Sequence, residues 1–276
     1  MSGASVDAVL NFVDRDAIPG DGFSFNFDPA WSGIPVTAQR LEIRDACALD
    51  EPPTLETYGF QKARLDCTPL AQLDPAEFEH QWGAAVRERI RDLTGADAVI
   101  SWAFSARFSE QKKDAARSDV SNPARRVHGD FAPTEFATEI RHSLCRDQIA
   151  EVAQGRRLAR WIGFNAWQPF SPPPYDIPLA ICDTRTLAPG DVVIGRGSAP
   201  SMRELELDLP LFAWNADQRW YYYSAFEPDE TLLFYGIDSA GPENWRLVPH
   251  SAFDNSGVKG ANPRCSVEMR CMALFF

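Results

Sequence analysis

The chain has 276 residues, of which 45% are apolar, 12% aromatic and 24% charged, a balance that suits a well-cored globular fold and excludes a disordered chain. Its net charge of −12 argues against nucleic acid and anionic membranes as partners, because both need a basic face, and leaves a small molecule as the expected one. No stretch approaches the roughly 20 apolar residues of a membrane helix, and the amino terminus lacks a basic region followed by an apolar run, so a cytoplasmic protein is expected.

Residues 1 to about 70 are rich in Pro, Gly and Asp and show no sustained period apart from short extended runs such as Gly22 to Phe27. They read as an N-terminal wrap. The segment from Asp74 to Gly95 reads as a helix: Asp74 caps, Pro75 takes the first helical position, and Glu77 completes a capping box. Phe78, Trp82, Val86, Ile90 and Leu93 then share one face at helical spacing, and Gly95 ends the helix.

From Ala98 the period shortens to that of a strand, with Val99, Ile100, Trp102 and Phe104. A second helix is predicted over Thr134 to Gln154, carrying Phe136, Ile140, Leu144, Ile149 and Val152. Further strands are predicted over Arg160–Trp167, Pro178–Cys182, Val192–Ile194, Leu209–Trp214, Arg219–Ala225, Thr231–Ile237 and Arg264–Phe275, separated by turn residues. Many short strands without intervening helices exclude parallel βαβ units and point to a mainly β jelly roll with flanking helices. One domain over residues 1–276 is expected, with 1–97 the wrap and helix and 98–276 the jelly-roll core. The six cysteines are scattered with no C-x-x-C pair, so reduced, mostly buried thiols are expected.

Of the four histidines, only His128 has a carboxylate two residues later, Asp130. Residues i and i+2 of an extended chain point to the same side, so the imidazole and the carboxylate can converge on one ion, with Gly129 leaving room between them. A facial iron centre needs a second imidazole while keeping three positions open. His250, in the extended segment Trp245 to Phe253, supplies it from a different part of the chain. His80 lies off the apolar stripe of its helix, and His142 has no carboxylate at ligand spacing; both read as structural. A His-x-Asp pair arises by chance in many chains, so the pair alone is a weak signal and more often binds no metal.

In the last strand Arg264, Ser266, Glu268 and Arg270 alternate with Cys265, Val267, Met269 and Cys271. That polar stripe either meets solvent or lines an interior cavity. In a cavity, an arginine fork matches a carboxylate bidentately, which would give Arg264 with Ser266 the far carboxylate of a dianionic co-substrate; Arg270 is the next candidate.

Together these segments resemble the iron(II)/2-oxoglutarate oxygenases related to cephamycin methoxylase proteins and to fungal hydroxylase/desaturase enzymes of natural-product biosynthesis. The resemblance covers about residues 98 to 276. It rests on the ordered series Val127-His128-Gly129-Asp130-Phe131, Gly163 to Pro169, Pro178 to Asp183, Gln218 to Tyr222, Pro228 to Leu233, Pro249 to Phe253, and Arg264 to Arg270. It implies a double-stranded β-helix, the cupin-like jelly roll, with iron(II) on His128, Asp130 and His250 and 2-oxoglutarate on Arg264 and Ser266. With O2 as oxidant, it further implies hydroxylation, desaturation or oxidative ring formation at a C–H bond of an amino-acid-derived or other specialised metabolite. Asn165 and Trp167 would face the substrate pocket. Where relatives commonly show Asn-x-Trp-Arg-Pro this chain has Gln168, which suggests a different or less anionic substrate. Two other readings remain: a jelly-roll small-molecule binding module, and a cupin-like metal enzyme that ignores 2-oxoglutarate.

Overall fold

Alternation along β1 (Ser5–Val13) puts Ala8, Leu10 and Phe12 inside and pairs the strand antiparallel with β3 (Val36–Asp45). With one face buried, the register is fixed, because a slip of one residue would turn that face to water. In the computed structural model, which describes residues 4–18, 23–26, 32–109, 123–199, 205–241 and 246–276, this pair begins a five-stranded sheet. The sheet continues through β10 (Trp220–Tyr222) and β7 (Leu179–Cys182) to β12 (His250–Ala252), in the order β1-β3-β10-β7-β12. A second sheet has the order β4-β11-β6-β13-β5: Phe60–Arg64, Glu230–Asp238, Arg160–Pro169, Cys265–Phe275 and Ala98–Phe108. A smaller sheet joins β2 (Phe23–Asn26), β8 (Val192–Ala199) and β9 (Leu205–Phe212).

The two large sheets close over one core, in which Phe12, Ile43, Trp220 and Tyr222 from the first meet Trp161, Ile237, Met272 and Leu274 from the second. The fold is therefore the jelly roll read from the strand pattern. In the N-terminal region, β1, β3 and β4 are members of the two large sheets. Gly22 and Phe27, the ends of the extended run around β2, lie outside the described residues.

The helix expected over Asp74–Gly95 is built in three pieces. A 3-10 turn over Pro75–Glu77 is capped by Asp74, whose side chain accepts from the Ala76 amide; a π turn spans Phe78–Trp82; and α2 (Gly83–Thr94) follows α1 (Leu55–Tyr58) in the chain. Gly95 ends α2 at a φ of 68°, a left-handed geometry that glycine adopts without steric cost. Phe78, Trp82, Val86 and Ile90 pack on the outer face of the second sheet, against Ile162, Phe164, Ala166, Val267, Met269 and Cys271. Each such large apolar side chain stabilises the fold by about 1.5–3 kcal/mol.

The second predicted helix is α3 (Glu135–Ala153), with Thr134 as its cap accepting from the Ala137 amide. Leu144 on it is 54% exposed, so the apolar face is narrower than its sequence period suggests; the side chains of Phe136 and Ile140 lie outside the described residues. All six cysteines are free, with four buried. No helix among the described residues is long and apolar enough to cross a membrane.

Because α2 covers one face of β13, alternation sends the other face inward. Val267, Met269, Cys271 and Ala273 meet the helix side, so Arg264, Ser266, Glu268 and Arg270 face the interior. The polar stripe read from the sequence turns to the cavity side: Arg264 is 1% exposed and Ser266 fully buried, while Glu268 and Arg270 are partly exposed.

Candidate metal centre

His128 lies in the short segment ahead of α3, where it is threaded between two strands. Its backbone forms a bridge with His250 of β12 on one side and with Leu211 of β9 on the other. Gly129 extends the second contact by donating its amide to Pro210 O at 2.8 Å. The segment therefore stitches the first sheet to the smaller one, and it brings two residues 122 positions apart in sequence into direct opposition.

Phe131 fixes the other end. Its ring is buried against Gly163 of β6 and Gly236 of β11, where an added Cβ would stand 2.4 and 2.2 Å from ring atoms. Both positions need glycine because the aromatic ring occupies the side-chain space. Trp102 closes the pocket edge-on, at 5.6 Å between centroids. Asp130 is held between these two anchors.

His128, Asp130 and His250 each offer a ligand atom, and the three atoms lie within 4.8 Å of one another. Nδ1 of His128 lies 2.8 Å from the Arg126 carbonyl, and Nδ1 of His250 lies 3.1 Å from the Val248 carbonyl. A carbonyl only accepts, so each Nδ1 donates to it and each Nε2 is the ring nitrogen left to serve a metal. Burial first, then the charge of His250, pulls His128 down to about 3, which keeps it neutral. Burial would raise Asp130, but Arg270, His250 and His128 outweigh it and hold the carboxyl well below its usual range. The two Nε2 atoms and the Asp130 carboxylate thus converge on one point, an arrangement that a divalent cation satisfies. Among the described residues no other such cluster is present. His80 is exposed, and His142 sits half-buried with its ring 6.1 Å from that of Trp161.

Two cavities meet at this centre, sharing Asp130, Trp167, Leu179, His250 and Glu268. Arg264 and Arg107 line one of them. Arg264 donates from Nη1 to Ile177 O at 2.8 Å, while its Nε is buried without a partner, and so is Oγ of Ser266 two residues along the same face. Burial, reinforced by Arg107, lowers Arg264 to about 9 against the opposing pull of Glu268 and Asp176. A buried cation and a hydroxyl, both under-satisfied and two residues apart on one strand face, suit a carboxylate.

The second cavity is lined by Ala103, Ser105, Asn165, Phe234 and Arg270. Asn165 and Trp167 both face inward, as their spacing on β6 requires. Arg270 has a different partner from the one its place in the stripe suggested: Nη2 donates to Asp130 Oδ1 at 2.5 Å. Gln168 is displaced from the pocket altogether. It lies on the outer face of β6, accepts from Trp82 Nε1 at 2.7 Å and donates to Pro228 O; the inference of a less anionic substrate drawn from that position is withdrawn.

Sequence reasoning missed the ion pair between Arg107 of β5 and Glu268, although both line the cavity beside Arg264. Glu268 was visible in the stripe. Arg107 lies beyond the clear apolar period of its strand, and only the pairing of β5 with β13, which sets Arg107 opposite Ser266, brings the two together.

A family model described as an oxidoreductase/YMDC permease-like domain matches residues 15–274. The Fe(II)/2-oxoglutarate-dependent dioxygenase nvfI of Aspergillus novofumigatus is 30% identical over 242 residues, covering 86% of this chain and 83% of the relative. The hydroxylase/desaturase efuI of Hormonema carpetanum is 29% identical over 259 residues, covering 86% and 84%. In solved structures, the iron and alpha-ketoglutarate-dependent endoperoxidase NvfI superimposes with a TM-score of 0.80 at 25% identity, covering 99% of this chain and 98% of that one.

Proposed function

Since the chain belongs to this oxidoreductase family and, within it, to the Fe(II)/2-oxoglutarate-dependent dioxygenases, we propose that His128, Asp130 and His250 hold the iron and that Arg264 and Ser266 hold the far carboxylate of 2-oxoglutarate. The enzyme uses Fe(II), 2-oxoglutarate and O2 to oxidise a C–H bond of a small molecule. For hydroxylation, the C–H, O2 and 2-oxoglutarate give C–OH, succinate and carbon dioxide; for desaturation, two hydrogens leave the substrate and water replaces the hydroxyl. The metal when bound supplies the open positions at which the keto acid and O2 meet.

The chain's own residues do the placing. The Arg126 and Val248 carbonyls fix both imidazole tautomers. Arg264 lies over the Trp167 ring, 5.6 Å from its centroid, so the aromatic wall both orients the guanidinium and excludes water around it. Asn165 and Trp167 face the substrate. The carrying observation is the pair of under-satisfied buried groups, Arg264 Nε and Ser266 Oγ, with Arg264 lining the cavity that reaches the two histidines; a binding module or a metal enzyme that ignores 2-oxoglutarate has no use for them.

A specialised metabolite, amino-acid-derived or otherwise, is the substrate class this reading favours, acted on by residues 1–276 as one domain in the cytoplasm and without nucleic acid. Anaerobic titration with iron(II) and then 2-oxoglutarate tests the ligand set. A weak visible charge-transfer band is expected in the wild type and not in Asp130→Ala. Iron uptake without the band removes the co-substrate assignment, and an unaltered band in Asp130→Ala removes the ligand assignment.

A further inference from the structure

The two oxygens of Asp130 have different surroundings. Oδ1 accepts from Arg270 Nη2 at 2.5 Å and lies 3.9 Å from His128 Nε2, whereas Oδ2 lies nearer the imidazoles, 3.4 Å from His250 Nε2. Arg270 is well placed to impose that difference. Its backbone sits in the middle of the second sheet, opposite Ala103 on one side and Asn165 on the other, so both ladders fix its Cα. Asp130, by contrast, belongs to no strand and follows a segment that pairs with its neighbours at isolated bridges.

Arg270 is also too far from Arg264 to share its task. They stand six positions apart along an extended strand, roughly 20 Å at about 3.3 Å per residue, and the two line different cavities. A hydrogen bond between a guanidinium and a carboxylate is about twice as strong as a neutral one, and here the carboxylate side chain is 9% exposed and the arginine 34%.

A carboxylate can bind a metal through one oxygen or through both. With two imidazoles present, one-oxygen ligation leaves three positions, enough for the two donor atoms of a keto acid and for O2. Two-oxygen ligation would close one of the three. We infer that Arg270 is a positioning residue: by engaging Oδ1 it makes Asp130 ligate through Oδ2 alone and so keeps the third position open. This rests on the ligand set proposed above and on nothing about the organic substrate.

The test uses the full chain with Mn(II) alone, a cation that accepts the same nitrogen and oxygen donors, and counts metal-bound exchanging waters from the relaxation of water protons. The wild type should hold about three waters and Arg270→Met about two, since one-oxygen ligation leaves three positions and two-oxygen ligation leaves two. Arg270→Lys, which keeps a cationic donor, should return the count toward the wild-type value. Arg270→Gln carries the comparison if Arg270→Met does not fold. A purely structural arginine would alter the melting temperature and leave the water count unchanged, so an unchanged count in a folded Arg270→Met or Arg270→Gln overturns the inference while the ligand set stands. Failure of the wild type to bind Mn(II) overturns the ligand set and this inference with it.

Discussion

His128 and His250 face each other across a two-way backbone bridge: the His128 amide donates to His250 O at 3.1 Å, and the His250 amide donates to His128 O at 3.0 Å. Their rings stand 4.3 Å apart, centroid to centroid. The bridge holds whatever the side chains are, because it is made by the main chain alone.

His128→Ala should therefore fold while losing the metal. Ligand binding to the native state stabilises it by RT ln(1 + [L]/Kd), about 2.7 kcal/mol at a hundredfold excess over Kd. Thermal unfolding of the wild type should shift upward when Mn(II) or iron(II) is added anaerobically, and that of His128→Ala should not. An equal shift in both proteins would place the metal elsewhere.

Arg264 presents the opposite balance, because without co-substrate its charge is buried and incompletely partnered. Burial lowers it to about 9, below the value in the unfolded chain. Between about 9 and the ordinary arginine range the native protein thus binds fewer protons than the unfolded one, and stability rises with pH across that window; at neutral pH the penalty is present in full. Arg264→Leu should leave the ligand-free protein at least as stable as the wild type at neutral pH. Its 2-oxoglutarate affinity should fall by roughly thirtyfold or more, the equivalent of the about 2–5 kcal/mol lost when one partner of a buried charge pair is truncated. Calorimetric titration with 2-oxoglutarate in the presence of Mn(II) reads the affinity, and an unchanged value would move the anchor to Arg107.

Gly163 tests how the His128-Gly129-Asp130 segment is seated. A methyl group there would stand 2.4 Å from Phe131, so Gly163→Ala must push the ring, and Asp130 next to it, out of place. Overpacking of this kind costs about 1–3 kcal/mol, measurable as a lower urea midpoint together with weaker Mn(II) binding. Adding Phe131→Leu, which removes ring atoms from the clash, should recover part of both. Recovery of stability without metal affinity would show that Phe131 supports the fold and not the ligand.

How much of this was legible in the sequence follows from how far each signal reaches. The His128–Asp130 pair and the β13 stripe are local patterns of period two, and both survive folding unchanged. The β1 strand carried the same pattern in Ala8, Leu10 and Phe12, but it is embedded among turn-forming residues. In β3 only Ile43 and Asp45 are buried, so its place in the sheet comes from backbone pairing, which leaves little trace in side-chain type. The Arg107–Glu268 contact spans 161 positions and exists only once two strands are in register. The π turn over Phe78–Trp82 is a choice of amide partner within an apolar stripe that looks the same for an α-helix.

Gln168 separates sequence analogy from geometry most sharply. By motif it occupies a position beside the pocket residue Trp167, where relatives commonly carry arginine. Alternation along β6 nevertheless turns it to the outer face, where it accepts from Trp82 Nε1 and is only 2% exposed. Gln168→Leu would leave that indole donor buried without an acceptor, at a cost of about 1–3 kcal/mol. The urea midpoint should fall accordingly, while Mn(II) and 2-oxoglutarate affinities stay at wild-type values, because neither cavity at the metal centre is lined by this side chain. A change in 2-oxoglutarate affinity with no loss of stability would mean that the residue reaches the pocket after all, and the inward and outward faces of β6 would have to be exchanged.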